Sequence, residues 1–179
     1  MMKSAFLLSC LMSCLLLLST CQPGSREQPG SNARRARVEK TARDFFATYA
    51  ERQDWEHFLS FYRYDMQFED VALQIAIFNK EDYKHFQDWP SVSYKPVAPG
   101  EPSLVLQELI VSDSTAVGYG YFNPFFLNGQ RYDWRWGSQF TTWLFFDDQL
   151  KIRRQVDFVE YPDWVLEEVI QQYRRSPRR

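Results

Sequence analysis

Between Gln130 and Phe146 apolar and polar positions alternate. Tyr132, Trp134, Trp136, Phe140, Thr142, Leu144 and Phe146 form one set, and Arg131, Asp133, Arg135, Gln139 and Thr141 fall between them. A period of two marks a half-buried strand with one apolar and one largely polar face. The run is 17 residues long, well beyond the usual strand of about 5–6, so it is expected to bend, with Gly137 as the kink. The acidic pair Asp147–Asp148 then turns the chain into a second strand-like run reaching Tyr161. A curved antiparallel sheet with aromatics on one face needs a cover.

Helical stripes upstream supply it. Val38, Ala42, Phe45, Phe46 and Tyr49 recur at helical spacing from Val38 onward. Asp54 is placed to cap a second helix carrying Trp55, Phe58, Leu59 and Tyr62. Met66, Phe68, Asp70 and Ala72 then alternate with Gln67, Glu69 and Val71, which reads as a short strand. Asn79 and Asp82 make a capping box for a third helix that ends before Pro90, with Phe78 stapled onto Tyr83. Strands are expected at 92–97, 104–111 and 115–122, and Asn128–Gly129 is the strongest hairpin signal in the chain. Pro162–Asp163 opens a last helix with Leu166, Val169, Ile170 and Tyr173 on one face. No internal repeat is present.

The N-terminus has a different character. Met1-Met2-Lys3 is a short basic segment, followed by an apolar run from Ala5 to Leu18, the organisation of an export signal. All three cysteines, Cys10, Cys14 and Cys21, lie in or beside that run, so the body carries no disulfide. Leu18-Ser19-Thr20-Cys21 resembles the lipobox of bacterial lipoproteins, which implies cleavage before Cys21 and lipid on its thiol. An ordinary cleaved signal or an uncleaved anchor are the competing readings. Gln22 after the cysteine points to an outer-membrane address facing the periplasm. The expected organisation is signal peptide 1–20, flexible Pro/Gly/Ser-rich tether 21–37, one domain 38–173 and basic tail 174–179.

Charge narrows the partners. Residues 38–173 contain 12 Lys/Arg against 22 Asp/Glu, a net −10. An acidic body excludes nucleic acid, whose binding rests on neutralising phosphates. There is no phosphate loop, nucleophile elbow or paired-histidine metal motif, so no cofactor and no metal are expected. Of the two histidines, His57 stands on the second helix beside Phe58 and His85 four residues after Glu81 on the third, and two ligands do not make a metal site. Asp70 is the more informative residue. Alternation puts it on the buried face with Met66 and Phe68, where an unpaired carboxylate is costly and desolvation raises its pKa. Such a group is a general-base candidate; the structural alternative is a strand end at a wet edge.

The pieces Asp54-Trp55, Phe61-Tyr62-x-x-Asp65-Met66-x-Phe68-Glu69-Asp70 and Phe146-Asp147-Asp148-x-x-Lys151-Ile152, followed by Asp157-Phe158, resemble the NTF2-like superfamily over about residues 38–161. The likeness is to its SnoaL-like branch, relatives of ketosteroid isomerase, SnoaL polyketide cyclase and limonene-epoxide hydrolase. It implies an α+β fold: a cone-shaped curved antiparallel sheet wrapped around N-terminal helices, often dimeric, with an extra C-terminal helix here. It also implies a pocket lined by Tyr49, Met66, Phe68, Trp134, Trp136, Phe140 and Thr142. Asp70 then stands where isomerases of the branch keep their proton-shuttling base, and Asp157 parallels an aspartate of the hydrolases. Thr142 replaces the isomerases' oxyanion-hole aspartate, and Gln139-x-Thr141 replaces the hydrolases' Arg-x-Asp, so neither machinery is complete. The expected function is a membrane-anchored domain binding a small hydrophobic ligand or partner without turnover. The alternative is a lyase, isomerase or hydrolase using Asp70 as base. A third reading is an envelope assembly factor using the sheet's second face. That face, with Arg131, Asp133, Arg135 and Trp143, is expected to be solvated or to form a homodimer interface.

Overall fold

The stripe of Val38, Ala42, Phe45 and Phe46 is buried along helix α1 (Pro29–Glu51), which covers the concave face of a curved sheet. The structure is a computed structural model and describes residues 29–133 and 139–175. Helix α1 starts nine residues before Val38, inside the stretch expected to be a tether. That first part has no apolar stripe and is held by polar contacts instead. Ser31 Oγ donates to both carboxylate oxygens of Asp113, at 3.0 and 2.8 Å. Arg34 donates to the carbonyls of Asp113 (2.7 Å) and Asp147 (2.9 Å). The helix stops at Arg52, in the left-handed region at φ 51°, whose N–H closes onto the Thr48 carbonyl.

Short helices follow. In α2 (Trp55–Ser60) the Asp54 carboxylate accepts the His57 N–H at 2.9 Å, as a cap should. Tyr62, expected on the helical stripe, instead opens strand β1 (Tyr62–Asp70). In α3 (Lys80–Gln87) Asn79 accepts the Asp82 N–H and donates to its carboxylate, both at 2.8 Å. Phe78 stays 68% exposed while Tyr83 is fully buried, so the expected staple between them does not form.

The remaining strands are β2 (Ile75–Ile77), β3 (Tyr94–Pro96), β4 (Leu104–Val111), β5 (Thr115–Phe122), β6 (Phe125–Leu127), β7 (Gln130–Tyr132), β8 (Gln139–Phe146) and β9 (Ile152–Val159). Among the described residues six of the nine strands form one sheet in the order β2-β1-β9-β8-β5-β4, and β3-β6-β7 form a second, smaller one. Neighbours in both sheets are antiparallel except β1 and β9, which run parallel. Asn128 (φ 50°) and Gly129 (φ 82°) make the two-residue turn between β6 and β7, as their sequence predicts.

The long alternating run divides. Gln130–Tyr132 pairs with β6 in the small sheet, whereas Gln139–Phe146 lies between β5 and β9 in the large one. One bent strand was the expectation; two strands with different partners are the result. Arg131 is therefore not on the same sheet face as Trp143, and it pairs with Asp133 at 2.6 Å. Arg135 lies outside the described residues.

Within the large sheet the expected alternation is kept. Met66, Phe68 and Asp70 of β1 and Phe140, Thr142, Leu144 and Phe146 of β8 are buried on the concave side. They meet Phe45, Phe46, Phe58 and Tyr83 from the three N-terminal helices, whose rings pack edge to face, stacked and tilted at centroid distances of 5.2 to 6.3 Å. Gly118 on β5 permits the close approach of α1, because a methyl group there would overlap the Phe46 ring. Helix α4 (Asp163–Arg175) adds buried Val165, with Leu166 and Ile170 against the core, and takes in the first two residues of the expected tail. The side chains of Val169 and Tyr173 lie outside the described residues.

Candidate functional site

The sheet register brings the chemistry together. Asp70 on β1 pairs with Asp157 on β9, Asp157 with Thr142 on β8, and Thr142 with Gly118 on β5. Residues in register across adjacent strands point to the same face, so this rung carries two carboxyls and a hydroxyl into the concave side. Where Gly118 offers no side chain, Phe46 occupies the space.

A cavity of about 50 Å³ lies over this rung. One wall is aromatic: Phe45, Phe46, Tyr49, Phe68, Phe86 and Phe122. The other is polar: Asp70, Thr142, Gln155, Asp157 and Tyr161, with Gln87 at its border. At about 10–15 Å³ for each water, the space holds roughly four water-sized groups.

The two carboxyls are held differently. Asp70 is 2% exposed and both of its oxygens are occupied. One accepts the Leu73 N–H at 2.9 Å, fixing the turn into β2, and the other accepts the Tyr161 hydroxyl at 2.8 Å. Burial raises its pKa, and these hydrogen bonds offset part of the rise. Asp157 receives only side-chain donors: Thr142 Oγ1 at 2.8 Å to one oxygen, and the Gln155 amide at 3.0 and 2.8 Å to both. Burial pushes Asp157 up to about 7, the Asp70 charge adds to the rise, and the Thr142 and Gln155 bonds oppose it.

Gln155 has a fixed orientation. Its carbonyl accepts the Tyr62 hydroxyl at 2.6 Å, and Tyr62 and Tyr83 hydroxyls lie 3.0 Å apart. With its oxygen committed to the phenols, the amide nitrogen can only face Asp157. Burial raises Tyr62, Tyr83 and Tyr161 well above the ordinary phenol value, so all three stay neutral donors.

Of the expected site residues, Tyr49, Phe68, Asp70, Thr142 and Asp157 line the cavity. Met66 and Phe140 do not; both are sealed in the core, Phe140 between Phe46 and Phe122. Trp134, Trp136 and Cys21 lie outside the described residues. Gln155 and Tyr161 were missed. The alternation of Gln155, Asp157 and Val159 along one strand was the available signal for the first, whereas nothing local marks Tyr161. His57 sits 3.3 Å from Asp44 on the helical side. No group of three potential metal ligands converges among the described residues.

No family model and no curated protein sequence matches the chain. Solved structures do. A ketosteroid isomerase-like protein from Kribbella flavida superposes with a TM-score of 0.51 at 20% identity, covering 72% of this chain and 81% of its own. A SnoaL-like polyketide cyclase-type protein from Shewanella putrefaciens gives 0.52 at 13% identity, over 76% and 97%. TerC, co-crystallised with polyporic acid, gives 0.51 at 16% identity, over 75% and 98%. The fold is therefore that of the NTF2-like and SnoaL-like proteins, with α4 following the last strand of its large sheet.

Proposed function

We propose that this NTF2-like cone is the binding domain of an exported lipoprotein and holds a small ligand in its cavity without turning it over. The observation that carries this reading is a cavity with aromatic rings on one side and the hydrogen-bonding set Asp157, Thr142 and Gln155 on the other. Such a site suits a ligand with an apolar part and one polar group, a refinement of the purely hydrophobic ligand expected from sequence. Asp70 does not serve as a free base in this reading, because both of its oxygens hold the fold together. Ligand-observed NMR of the full-length chain in nonionic detergent, with a library of molecules of about four heavy atoms, tests it. Binding lost on filling the cavity with Val159→Phe is the expected result. If no molecule shows that dependence, the binding reading fails.

Anchoring is part of the proposal. Helix α1 starts eight residues after Cys21, a span of at most about 28 Å when fully extended. A lipid on Cys21 then keeps the domain close to the membrane. Palmitate incorporation by wild type, abolished by Cys21→Ala, is the expected outcome, and unchanged labelling refutes it.

A second reading is favoured by one feature, the Asp157 carboxyl on the cavity wall, which burial pushes up to about 7. Asp157 then acts as general acid and base on a bound substrate, in place of the expected Asp70. Turnover falling by about 10²–10⁴ in Asp157→Asn separates it from the first.

A further inference from the structure

We infer that the cavity selects a small organic cation, an amine of about four heavy atoms, over neutral or anionic ligands. The inference rests on the binding reading above and gives the ligand its charge.

Two aspartates on one rung, Asp70 and Asp157, face the same cavity. No Lys, Arg or His lines it among the described residues. Every hydrogen bond described for either carboxyl comes from a neutral group: the Leu73 N–H, Tyr161, Thr142 and Gln155. Arg52, whose charge is felt by Tyr49, does not line the cavity. It is committed elsewhere, stacked over the rings of Tyr49, Trp89 and Tyr94 at 5.8, 4.9 and 5.2 Å.

An anion entering this space meets two carboxyls and no counter-charge. A neutral molecule finds few free donors, since the Gln155 amide, Thr142 and Tyr161 are already directed at the aspartates. An ammonium group meets what the site lacks. Ionised Asp157 has lone pairs to spare, with only Gln155 donating to its second oxygen. The opposite wall is aromatic, from Phe45, Phe46, Tyr49, Phe68, Phe86 and Phe122, and the π faces of such rings favour a desolvated cation over an anion.

Charge coupling adds a signature. The groups facing Asp157 are Asp70 from β1, Thr142 from β8, Gln155 on its own strand, and the neutral phenols of Tyr49, Tyr62, Tyr83 and Tyr161. Without a ligand Asp157 holds its proton up to about pH 7. A cation binds the ionised form and releases that proton, so affinity rises with pH and levels off above about 7.

The test compares isopropylammonium chloride with propan-2-ol, close in shape and different in charge. Saturation-transfer NMR is run on the full-length protein in nonionic detergent and phosphate buffer at constant ionic strength. Expected is binding of the ammonium, about tenfold tighter at pH 8 than at pH 6, with the alcohol weaker and indifferent to pH. Asp157→Asn removes the preference. If the alcohol binds as well as the ammonium, or better, the cation inference is overturned while the cavity remains a binding site. If the ammonium binds with no pH dependence and equally to Asp157→Asn, the assigned carboxylate is wrong and the inference falls. If neither molecule binds, the binding reading falls with it. The wild-type comparison of the two probes stands even where the variant does not fold.

Discussion

Asp70 and Asp157 are register partners on two parallel strands, so their side chains leave the sheet side by side into one cavity. Like charges this close in a desolvated space oppose joint ionisation, so one proton is retained first. Burial raises both groups, and Asp157 reaches about 7 because the Asp70 charge adds to the rise. The proton therefore resides on Asp157 at neutral pH and below.

The first prediction concerns stability against pH. Asp157 has a folded pKa of about 7 against 3.8 for an exposed aspartate. The protonated form thus contributes stability that is complete below about pH 4 and is lost as pH rises through about 7. The loss amounts to about 4 kcal/mol at most. Asp70, also raised, adds a change of the same sign. Urea unfolding of wild type is expected to weaken from pH 4 to pH 8, and Asp157→Asn to flatten that slope. An equal slope in the variant would show that Asp157 is an ordinary wet carboxylate.

Tyr161→Phe removes the hydroxyl that donates to Asp70. Hydrogen bonds to charged groups are worth about 1.5–3 kcal/mol, so a loss of that order is expected at pH 7. At acid pH, with Asp70 protonated, the loss shrinks. Denaturant midpoints at the two pH values check both parts.

Gly118→Ala tests how closely α1 approaches β5. The added methyl overlaps the Phe46 ring, and overpacking of this kind destabilises by about 1–3 kcal/mol. Phe46→Leu in the same chain is expected to recover part of the loss. Simple additivity of the two substitutions in thermal melts would disprove the contact.

The outer face of the large sheet is the remaining candidate for self-association. Ile110 is 68% exposed, Trp143 41% and Phe158 46%, and Val117 links the first two across the sheet. Of the face expected from Arg131, Asp133, Arg135 and Trp143, this patch keeps Trp143, whereas Arg131 belongs to the small sheet. We propose a modest isologous dimer through it. Sedimentation of the full-length chain in detergent is expected to give dimers that Trp143→Glu dissociates; wild type remaining monomeric at high micromolar concentration refutes it.

Much of the fold was legible because its signals are local. Period-two alternation at Met66, Phe68 and Asp70 needed no partner strand to be read, and the caps at Asp54 and Asn79 lie within three residues of what they bond. What escaped depends on distant residues. The helical turn at Ser31 and Arg34 is fixed by Asp113 and the Asp147 carbonyl, far along the chain. Strand β2 is three residues long, too short for periodicity to register. The run from Gln130 to Phe146 has one pattern but two sets of partners, and a pattern does not choose partners. The site shows the same division. Asp70 was visible as a polar residue on an apolar face. Its relation to Asp157 and Tyr161 exists only through the pairing of β1 with β9.

That pairing has a kinetic consequence. The β4–β5 and β8–β9 pairs join neighbours in sequence and close short loops, while β1 must find β9 across almost the whole domain, Tyr62 meeting Ile152. Closing so long a loop is favourable only after the hairpins have formed a platform for it. The expected order of folding therefore puts the docking of β1 last, and with it the meeting of Asp70 and Asp157. Pulse-labelling hydrogen exchange during refolding reads this directly: the Val71 amide, bonded to the Asp157 carbonyl at 2.9 Å, is expected to gain protection later than the amides that join β5 to β8. On that order, most of the sheet exists before there is any site at all.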